Sequence, residues 1–384
     1  MDKKLLEFAT PRQAEFLEAY WEAGTASGAA RILGINEATV RKGIKRAKTN
    51  AAKHGYAPNA DINHGVMPGF TLNRLSEYKK GEDGVYRWFI SDREKDSLLE
   101  AMQDFKEGLA EEIKGLHEPV APPAPNSEDL MACYIVGDHH YSMYAWGKET
   151  WGENWDTEIA DRVLMNGFEK LCTKATEAHY GVLVNVGDFM HADNSNSETA
   201  AGTKVDTDGR MGRAGRLAGK LFRRIIKRML EVHQEVIIVN AKGNHDPHAA
   251  VWINEILWAY YENEPRVKVM DNYAKFVWFE FGNNLIVTHH GDKIKPQRAY
   301  ETITFNLAEE WGRTKHRFFW TGHIHHKQAQ EMGGLKWESW NCLPPPDAWH
   351  AGAAFGSSRS MSCVMLHKEF GRDCSFEANI DELR

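Results

Sequence analysis

The sequence predicts an α/β fold, in which strands and helices alternate, preceded by a small all-α unit. Five short blocks rich in His, Asp and Asn lie between residues 137 and 325, and four of them directly follow a short apolar run. An apolar run that stops at a glycine and a polar residue is typical of a buried strand. Helical periodicity fills much of the chain between these runs, whereas the first 55 residues show helical patterns only.

Each block places potential metal ligands at the end of a predicted strand. The blocks are Gly137-Asp138-His139-His140, Gly187-Asp188, Gly243-Asn244-His245-Asp246, His289-His290-Gly291-Asp292 and Gly322-His323-Ile324-His325. The apolar runs before them are Ala132–Val136, Val182–Val186, Val236–Val239, Leu285–Val287 and the shorter Phe318–Trp320. Strand ends that face one way would gather carboxylates and imidazoles at one edge. Such a set binds a pair of divalent cations and points to phosphate-ester chemistry.

Composition and charge set the class of protein. With 384 residues, 42% hydrophobic and 26% charged, the chain is expected to fold into two or three ordinary globular domains. The net charge of -7 gives no global signature of nucleic-acid binding. Five widely spaced cysteines without a Cys-x-x-Cys pair indicate reduced thiols. Because no signal peptide or long apolar segment is visible, we expect a soluble cytoplasmic protein without a membrane partner.

The first 60 residues carry ten Lys/Arg against six Asp/Glu and predict a compact helical unit. Pro11 begins one helix, a second runs from Ser27 to Leu33 before Gly34, and Asn36 caps a third. The third helix presents the basic residues Arg41, Lys42, Lys45, Arg46 and Lys48. This helix-turn-helix pattern resembles that of sigma-factor-like and phage terminase-like proteins and favours DNA binding. A small helical scaffold or a protein-docking module is the alternative.

The predicted domains are a helix-turn-helix domain (1–55), a connector (56–130) and an α/β domain (131–384). The connector contains a hairpin around Gly81-Glu82-Asp83-Gly84, a charged helix over Asp92–Leu116 and a stiff linker over Pro119–Pro125. Within the α/β domain, helices are expected over Thr157–Ala178, Ala214–His233, His248–Glu262 and Tyr300–Trp311.

Taken in order, the five blocks resemble the motifs of the calcineurin-like metallophosphoesterases. The motifs are Asp-x-His, Gly-Asp, Gly-Asn-His-Asp, His-Gly and Gly-His-x-His, and the resemblance covers about residues 131 to 370. It implies a two-sheet sandwich flanked by helices and a metal-dependent phosphoesterase. With its N-terminal unit, the chain resembles phage-encoded members that carry a helix-turn-helix ahead of the catalytic domain.

The resemblance also implies a ligand set for two metals. Asp138, His140 and His325 correspond to the ligands of one ion, Asn244, His290 and His323 to those of the other, and Asp188 to the bridge. We prefer His290 over its neighbour His289, which stays an alternative. Residues two apart on an extended segment point to the same side, so both polar members of Asp-x-His and of His-x-His would face the site. Oxygen and nitrogen ligands suit Mn²⁺, Fe²⁺ or Zn²⁺. The resemblance makes Mn²⁺ the first choice, with Fe²⁺, Zn²⁺ or Mg²⁺ as alternatives.

Three further residues are implied to act in the chemistry. His245 would stabilise charge on the phosphoryl oxygens and protonate the leaving oxygen, and Asp246 would orient its imidazole. His191 lies three residues after Asp188, a spacing that resembles the repair-exonuclease branch, in which this histidine helps to position a DNA strand. The alternative is that His191 only lines the cleft.

Two segments near the blocks bear on the substrate. The polar stretch 194–213 predicts a functional or disordered loop, and Arg210 and Arg213 at its end are candidates to clamp phosphates. The aromatics of Trp337–His350 are candidates to stack on bases or, alternatively, to pack in a core or subunit interface.

The favoured function is a phosphodiesterase that hydrolyses nucleic-acid bonds, a DNA nuclease with its own DNA-binding module. One alternative is a phosphomonoesterase or small-nucleotide phosphodiesterase. Another is a DNA-binding regulator or packaging adaptor with a vestigial catalytic domain. DNA is the expected partner, and a homo-oligomer is compatible with the sequence.

Overall fold

The computed structural model describes residues 3–54, 56–57, 62–63, 74–80, 86–92, 115–117, 119–150, 153–354 and 356–384. The chain divides into two compact units, Met1–Met102 and Gln103–Arg384. Within the described residues, no helix combines the length and the apolar character needed to cross a membrane.

Three helices form the core of the first unit. After a 3-10 turn at Lys3–Phe8, they are α1 (Pro11–Ala23), α2 (Ala26–Leu33) and α3 (Glu37–Lys53). The side chains of Thr10, Thr25 and Asn36 each accept a backbone N–H at a helix start, which satisfies donors that the helix leaves unpaired. Gly24 and Gly34 end α1 and α2 in the left-handed conformation. The predicted three-helix unit is therefore present.

The face of α3 that packs inward is the predicted one. Val40, Ile44 and Ala47 are buried. Gly43 lies so close to α1 that a Cβ there would stand 2.1 Å from a ring carbon of Phe16. The basic residues Arg41, Lys42, Lys45 and Lys48 are exposed, as expected. Arg46 differs: it is half-buried, because it lies one turn beyond Gly43 on the face toward α1.

Among its described residues, the first unit also contains two short strand pairs. They are β1 (Tyr56–Ala57) with β2 (Ile62–Asn63), and β3 (Arg74–Lys80) with β4 (Tyr86–Asp92). The antiparallel pairing of β3 with β4 confirms the predicted hairpin. Its turn at residues 81–85 and nearly all of the predicted helix Asp92–Leu116 lie outside the described residues.

The second unit is built on a six-stranded and a five-stranded sheet. The strands of the first sheet are β5 (Ser127–Val136), β6 (Ala178–Asn185), β7 (Glu235–Asn240), β8 (Val267–Val269), β14 (Ser360–His367) and β15 (Gly371–Asn379), in the order β15-β14-β5-β6-β7-β8. Those of the second are β9 (Val277–Phe281), β10 (Asn284–Thr288), β11 (His316–Thr321), β12 (Gln328–Met332) and β13 (Leu335–Ser339), in the order β12-β13-β11-β10-β9. Strands β5 to β8 are parallel, as are β10, β11 and β13.

Helices flank both sheets. They are α4 (Thr157–Lys174), α5 (Met211–Leu230), α6 (Pro247–Tyr260), α7 (Pro296–Asn306), α8 (Ala308–Arg313) and the short α9 (Ala348–Gly352). Helix α4 ends before the predicted Ala178, because that residue already begins β6. The fourth predicted helix is divided at Leu307 into α7 and α8.

Alternation along β5 shows how the layers pack. Met131, Cys133 and Ile135 pack in the core between the two sheets, whereas Ala132 and Tyr134 pack with residues of α4, α5 and α6. Side chains of α7 pack with Leu285, Val287 and Phe319 of the second sheet. The prediction of a two-sheet sandwich flanked by helices is confirmed.

The proline-rich stretch before β5 is held against the second unit. Gln234 Nε2 donates to the carbonyl oxygens of Pro123 (2.9 Å) and Ala124 (3.1 Å). The guanidinium of Arg266 donates to the carbonyl of Val120 (2.8 Å). This stretch therefore contributes contacts to the second unit.

Candidate metal centre

The five polar blocks lie at the same end of the two sheets, each shortly after a strand. Three follow the parallel strands β5, β6 and β7, and two follow the parallel strands β10 and β11. Because the carboxyl ends of parallel strands lie at one edge, each sheet delivers its blocks together. The sandwich brings the two sets to a common site, where their side chains are in contact.

The backbone of the blocks differs from the expected extended conformation. Asp138 and His140 have φ of 30° and 45°, and His323 and His325 have φ of 70° and 56°. Both pairs reach the site through left-handed backbone and not through an extended segment, so the expected strand alternation was wrong. Asp188 shares this conformation with a φ of 52°. The conformation costs an L-residue roughly 1–2 kcal/mol, and several such residues in one site are typical of a functional centre.

One cluster joins the first and last blocks. His140 Nε2 lies 3.2 Å from His325 Nε2, and His325 Nε2 lies 3.5 Å from Asp138 Oδ1. Asp138 is fully buried and accepts the backbone N–H of His323 with both oxygens (3.0 and 2.8 Å). This hydrogen bonding fixes the last block against the first.

A second cluster contains Asp188, His290 and His323, whose ligand atoms all lie within 4.8 Å of one another. His290 Nε2 is 3.0 Å from Asp188 Oδ2 and 3.0 Å from Asn244 Oδ1. His289 lies outside both clusters: its Nδ1 accepts the backbone N–H of Gly291, and its ring packs on another aromatic ring.

Two buried carboxylates give this edge negative charge, which a neighbouring imidazole partly offsets. The carboxylates of Asp138 and Asp188 are at most 2% exposed, and His290 Nε2 lies between them, 3.9 Å from Asp138 Oδ1. Burial lowers the pKa of His290, but Asp188 and Asp138 outweigh burial and raise it to about 10. Burial lowers the pKa of His140 well below its usual value, so its imidazole is neutral, as a metal ligand must be.

The donor set fits divalent cations. Two ligand atoms about 2.1 Å from a shared cation stand roughly 3.0–3.4 Å apart. The separations of 3.0 to 3.5 Å within the two clusters have this size. Carboxylate oxygens, an amide oxygen and imidazole nitrogens suit Mn²⁺, Fe²⁺ or Zn²⁺. Buried carboxylates also require a compensating positive charge, which cations would provide.

Two glycines of the blocks lie so close to a carboxylate that a larger residue would not fit. A Cβ at Gly243 would stand 1.8 Å from Asp188 Oδ1, and a Cβ at Gly322 would stand 2.3 Å from Asp138 Oδ2. Each glycine therefore allows one block to pack against the carboxylate delivered by another.

His245 forms a third group with His140 and His191, whose ligand atoms lie within 4.8 Å of one another, and it is held by the backbone. Its N–H donates to Asp188 Oδ1 (2.7 Å), and its Nδ1 lies 2.8 Å from the carbonyl oxygen of His191. Its ring is 4.7 Å from that of His140. Because a carbonyl oxygen only accepts, Nδ1 carries the proton, and Nε2 is left as the atom for chemistry.

Asp246 has a different role from the expected one. Its carboxylate accepts the backbone N–H groups of Met190 (2.9 Å) and Gly243 (3.1 Å), whereas the carbonyl of His191 orients the imidazole of His245. Burial raises the pKa of Asp246 to about 8. Asp246 thus joins the loops after β6 and β7.

His191 is buried next to His140. Its Nδ1 lies 3.2 Å from His140 Nδ1, on the side of that ring opposite the cluster with His325. Burial lowers the pKa of His191 to about 3, so its ring is neutral and one of the two nitrogens donates to the other. His191 therefore fixes the tautomer of His140, as partners of metal-binding histidines commonly do.

A cavity of about 330 Å³ opens beside the first cluster. Its lining includes His140, His191 and His325 on one side and residues of the stretch 342–359 on the other. In that stretch Asp347 Oδ1 lies 2.8 Å from His350 Nδ1, and the ring of His350 is 5.4 Å from that of His325. Sequence reasoning noted the aromatics of this stretch but missed the Asp347–His350 pair.

The two candidate phosphate-clamp arginines do not line this cavity. Arg210 stands exposed at the start of α5, and the Arg213 guanidinium lies 3.7 Å from Asp208 Oδ2. The preceding loop is structured, since Asp206 and Asp208 form backbone hydrogen bonds with residues 142–144. Both arginines therefore lie outside the lining of this cavity, and their role as a phosphate clamp stays a prediction.

Of the comparisons with known proteins, the one with solved structures finds matches. No family model matches the chain, and no curated protein matches it. Among similar solved structures is a conserved uncharacterized protein, a predicted phosphoesterase, from Streptococcus pneumoniae, at 12% identity and TM-score 0.26 over 65% of this chain and 98% of that one. Vps29 complexed with Zn²⁺ from Entamoeba histolytica shares 12% identity at TM-score 0.30 (65% and 99% covered). Yfce, a phosphoesterase from E. coli, shares 9% at TM-score 0.31 (64% and 98%). Because the identities and TM-scores are this low, the function is argued below from the residues of the site itself.

Proposed function

We propose that the second unit is a dinuclear-metal-dependent phosphodiesterase that hydrolyses nucleic-acid phosphodiester bonds. The observation that carries the proposal is the meeting of two ligand clusters around the buried carboxylates of Asp138 and Asp188. Asp138, His140 and His325 would hold one cation, Asn244, His290 and His323 the other, and Asp188 would bridge them. All seven side chains are present, which argues against a vestigial site.

Bound cations would supply Lewis acidity and make water acidic enough to be a nucleophile near neutral pH. The protein's own residues do the remaining work. The Nδ1–H of His245 donates to the carbonyl of His191, which leaves Nε2 as the atom that can carry a second proton and donate it. In that state it stabilises charge on a phosphoryl oxygen and gives its proton to the leaving oxygen.

The preference for nucleic acid rests on the first unit. Four of the basic residues on α3, Arg41, Lys42, Lys45 and Lys48, are exposed, and Glu37 pairs with Arg41. Exposed Lys and Arg along one helix suit phosphate contacts on DNA. We propose that this unit is a helix-turn-helix that binds DNA and supplies substrate to the second unit.

A substrate panel tests the enzymatic proposal. Purified full-length protein with Mn²⁺ is assayed on single- and double-stranded DNA, RNA, cyclic dinucleotides, bis-p-nitrophenyl phosphate and p-nitrophenyl phosphate. Cleavage of a nucleic acid is the expected result. If only p-nitrophenyl phosphate is hydrolysed, the protein is a phosphomonoesterase and the proposal is wrong. If only cyclic dinucleotides are hydrolysed, it is a small-nucleotide phosphodiesterase.

Charge reversal tests the DNA-binding proposal in the full-length chain. Lys45→Glu with Lys48→Glu should weaken duplex binding and flatten its salt dependence, because fewer counterions are released. Lys268→Glu with Lys315→Glu makes the same charge change at exposed positions of the second unit and serves as the control. Equal salt slopes for both pairs would leave the docking-module alternative.

A further inference from the structure

The cavity beside the first cluster has walls of two chemical kinds. Imidazoles of the metal centre form one side, and Pro344, Pro345, Pro346 and Trp349 contribute an apolar side. At about 330 Å³ the cavity is at the small end of the range for ligand sites, roughly 300–1,000 Å³. The cavity therefore has room for a ligand with a polar end toward the imidazoles and one compact group against the apolar side.

Trp349 is positioned to contact such a group. Its side chain belongs to the short helix α9 and is 69% exposed, which is unusual for an aromatic of this size. Its ring meets that of His350 edge to face, with centroids 4.9 Å apart, and His350 in turn packs on His325. A continuous row of rings thus runs from the metal centre to the indole.

Asp347 fixes this row in place. Its carboxylate accepts the backbone N–H of His350 and lies 2.8 Å from Nδ1 of the same residue, so the imidazole cannot rotate freely. Planar rings held in a row beside a phosphate site offer faces on which a nucleobase can stack.

We propose that Trp349 and His350 form a nucleobase subsite, in which one unpaired base stacks while its phosphate lies at the metal centre. The inference rests on the proposed function and specifies its substrate as an unpaired nucleotide. A base inside a duplex is stacked on both faces, and extracting it costs a few kcal/mol. Single-stranded DNA or a frayed end is therefore the preferred substrate.

Binding measurements test the subsite without relying on turnover. Calorimetry on the Mn²⁺-loaded full-length protein compares thymidine 5′-monophosphate with inorganic phosphate. The wild type should bind the nucleotide about 5- to 100-fold more tightly, the size of one base–aromatic stack. Trp349→Ala should remove most of this difference while the affinity for phosphate stays unchanged.

Trp258→Ala is the matched control, because Trp258 is an exposed tryptophan (52%) that does not line the cavity. This variant should bind both ligands as the wild type does. Equal affinities of the wild type for nucleotide and phosphate would overturn the subsite, even if the enzyme hydrolyses diesters. Tighter nucleotide binding that depends on Trp349 would support it, even if no diester is hydrolysed.

Strand preference provides a second readout. Cleavage of one sequence as a single strand and as a blunt duplex should differ at least about fivefold in favour of the single strand, and Trp349→Ala should reduce this ratio. Faster cleavage of the duplex by the wild type would contradict the inference. So would an unchanged strand ratio in Trp349→Ala.

Discussion

Gly243 lies directly against the carboxylate of Asp188: a Cβ at position 243 would stand 1.8 Å from Oδ1. The same oxygen accepts the backbone N–H of His245 at 2.7 Å. The loop after β7 thus closes on the side chain delivered by β6. The positions of the proposed bridging ligand Asp188 and of the proposed acid His245 therefore depend on how this loop packs against Asp188.

Gly243→Ala should displace both Asp188 and His245. The added methyl group must displace Asp188, so we expect Mn²⁺ affinity and turnover to fall, each at least tenfold, as for residues that support a metal site. Isothermal titration with Mn²⁺ measures the first and diester hydrolysis the second. Gly219→Ala in α5 is the control, because a Cβ there meets nothing within 4 Å and stabilises the helix by about 1 kcal/mol. Unchanged Mn²⁺ affinity in Gly243→Ala would refute the proposed packing constraint.

Asp188→Asn should lower the occupancy of both metal sites, because the change removes the negative charge that they share. Asp138→Asn should affect mainly the site with His140 and His325. Metal analysis of the purified variants counts the ions per chain. Two ions retained in Asp188→Asn would show that Asp188 is not the bridge.

His245→Ala should retain both metals and the fold while losing most turnover of an unactivated dinucleotide, on the order of 10²–10⁴-fold for a general acid. His248→Ala, three residues further along and outside both clusters and the cavity, is the control and should stay active. Near-wild-type hydrolysis by His245→Ala would remove this residue from the mechanism.

His233 should make the second unit sensitive to acid. Its buried ring donates from Nδ1 to the carbonyl of Ala178 (2.7 Å) and accepts the Tyr134 hydroxyl at Nε2 (2.8 Å). Burial lowers the pKa of His233 to about 4, below its ordinary value of 6.5. Between these pH values the unfolded chain binds the proton first, so stability is full above pH 6.5 and falls as the pH drops toward 4.

At pH 4, protonation of His233 in the unfolded chain should lower the free energy of unfolding by an amount on the order of 3 kcal/mol. His233→Gln should therefore show a smaller difference between its free energies of unfolding at pH 7 and at pH 4.5 than the wild type does. Urea titrations at the two pH values measure it. The same pH difference in variant and wild type would show that His233 does not titrate on unfolding.

Short sequence patterns predicted the strands and helices, because these depend mainly on the residues within each segment. The apolar runs before Asp138, Asp188 and Asn244 are strands β5, β6 and β7, because a buried parallel strand needs a continuous apolar stretch. Five such ends sufficed to predict that the polar blocks meet. Capping residues and glycines likewise located the helices of the first unit within a residue or two.

Features that depend on contacts distant in sequence were not predictable in this way. The left-handed backbone at His140 and His325 is determined by neighbouring loops, so strand alternation gave the wrong geometry. The role of Asp246 follows from Met190, 56 residues away, and not from the adjacent His245. The pair Asp347–His350 faces the centre only because the sandwich brings the stretch after β13 back to the first cluster.

Titration of the metal-free full-length protein with Mn²⁺, with bound ions and hydrolysis of bis-p-nitrophenyl phosphate followed in the same samples, tests the central claim most directly. Two clusters that share Asp188 should bind two ions per chain, and hydrolysis should rise with the filling of the second site. Binding of two ions without hydrolysis of any phosphate ester would contradict the proposed enzyme. Full hydrolysis in the metal-free protein would contradict the metal centre itself.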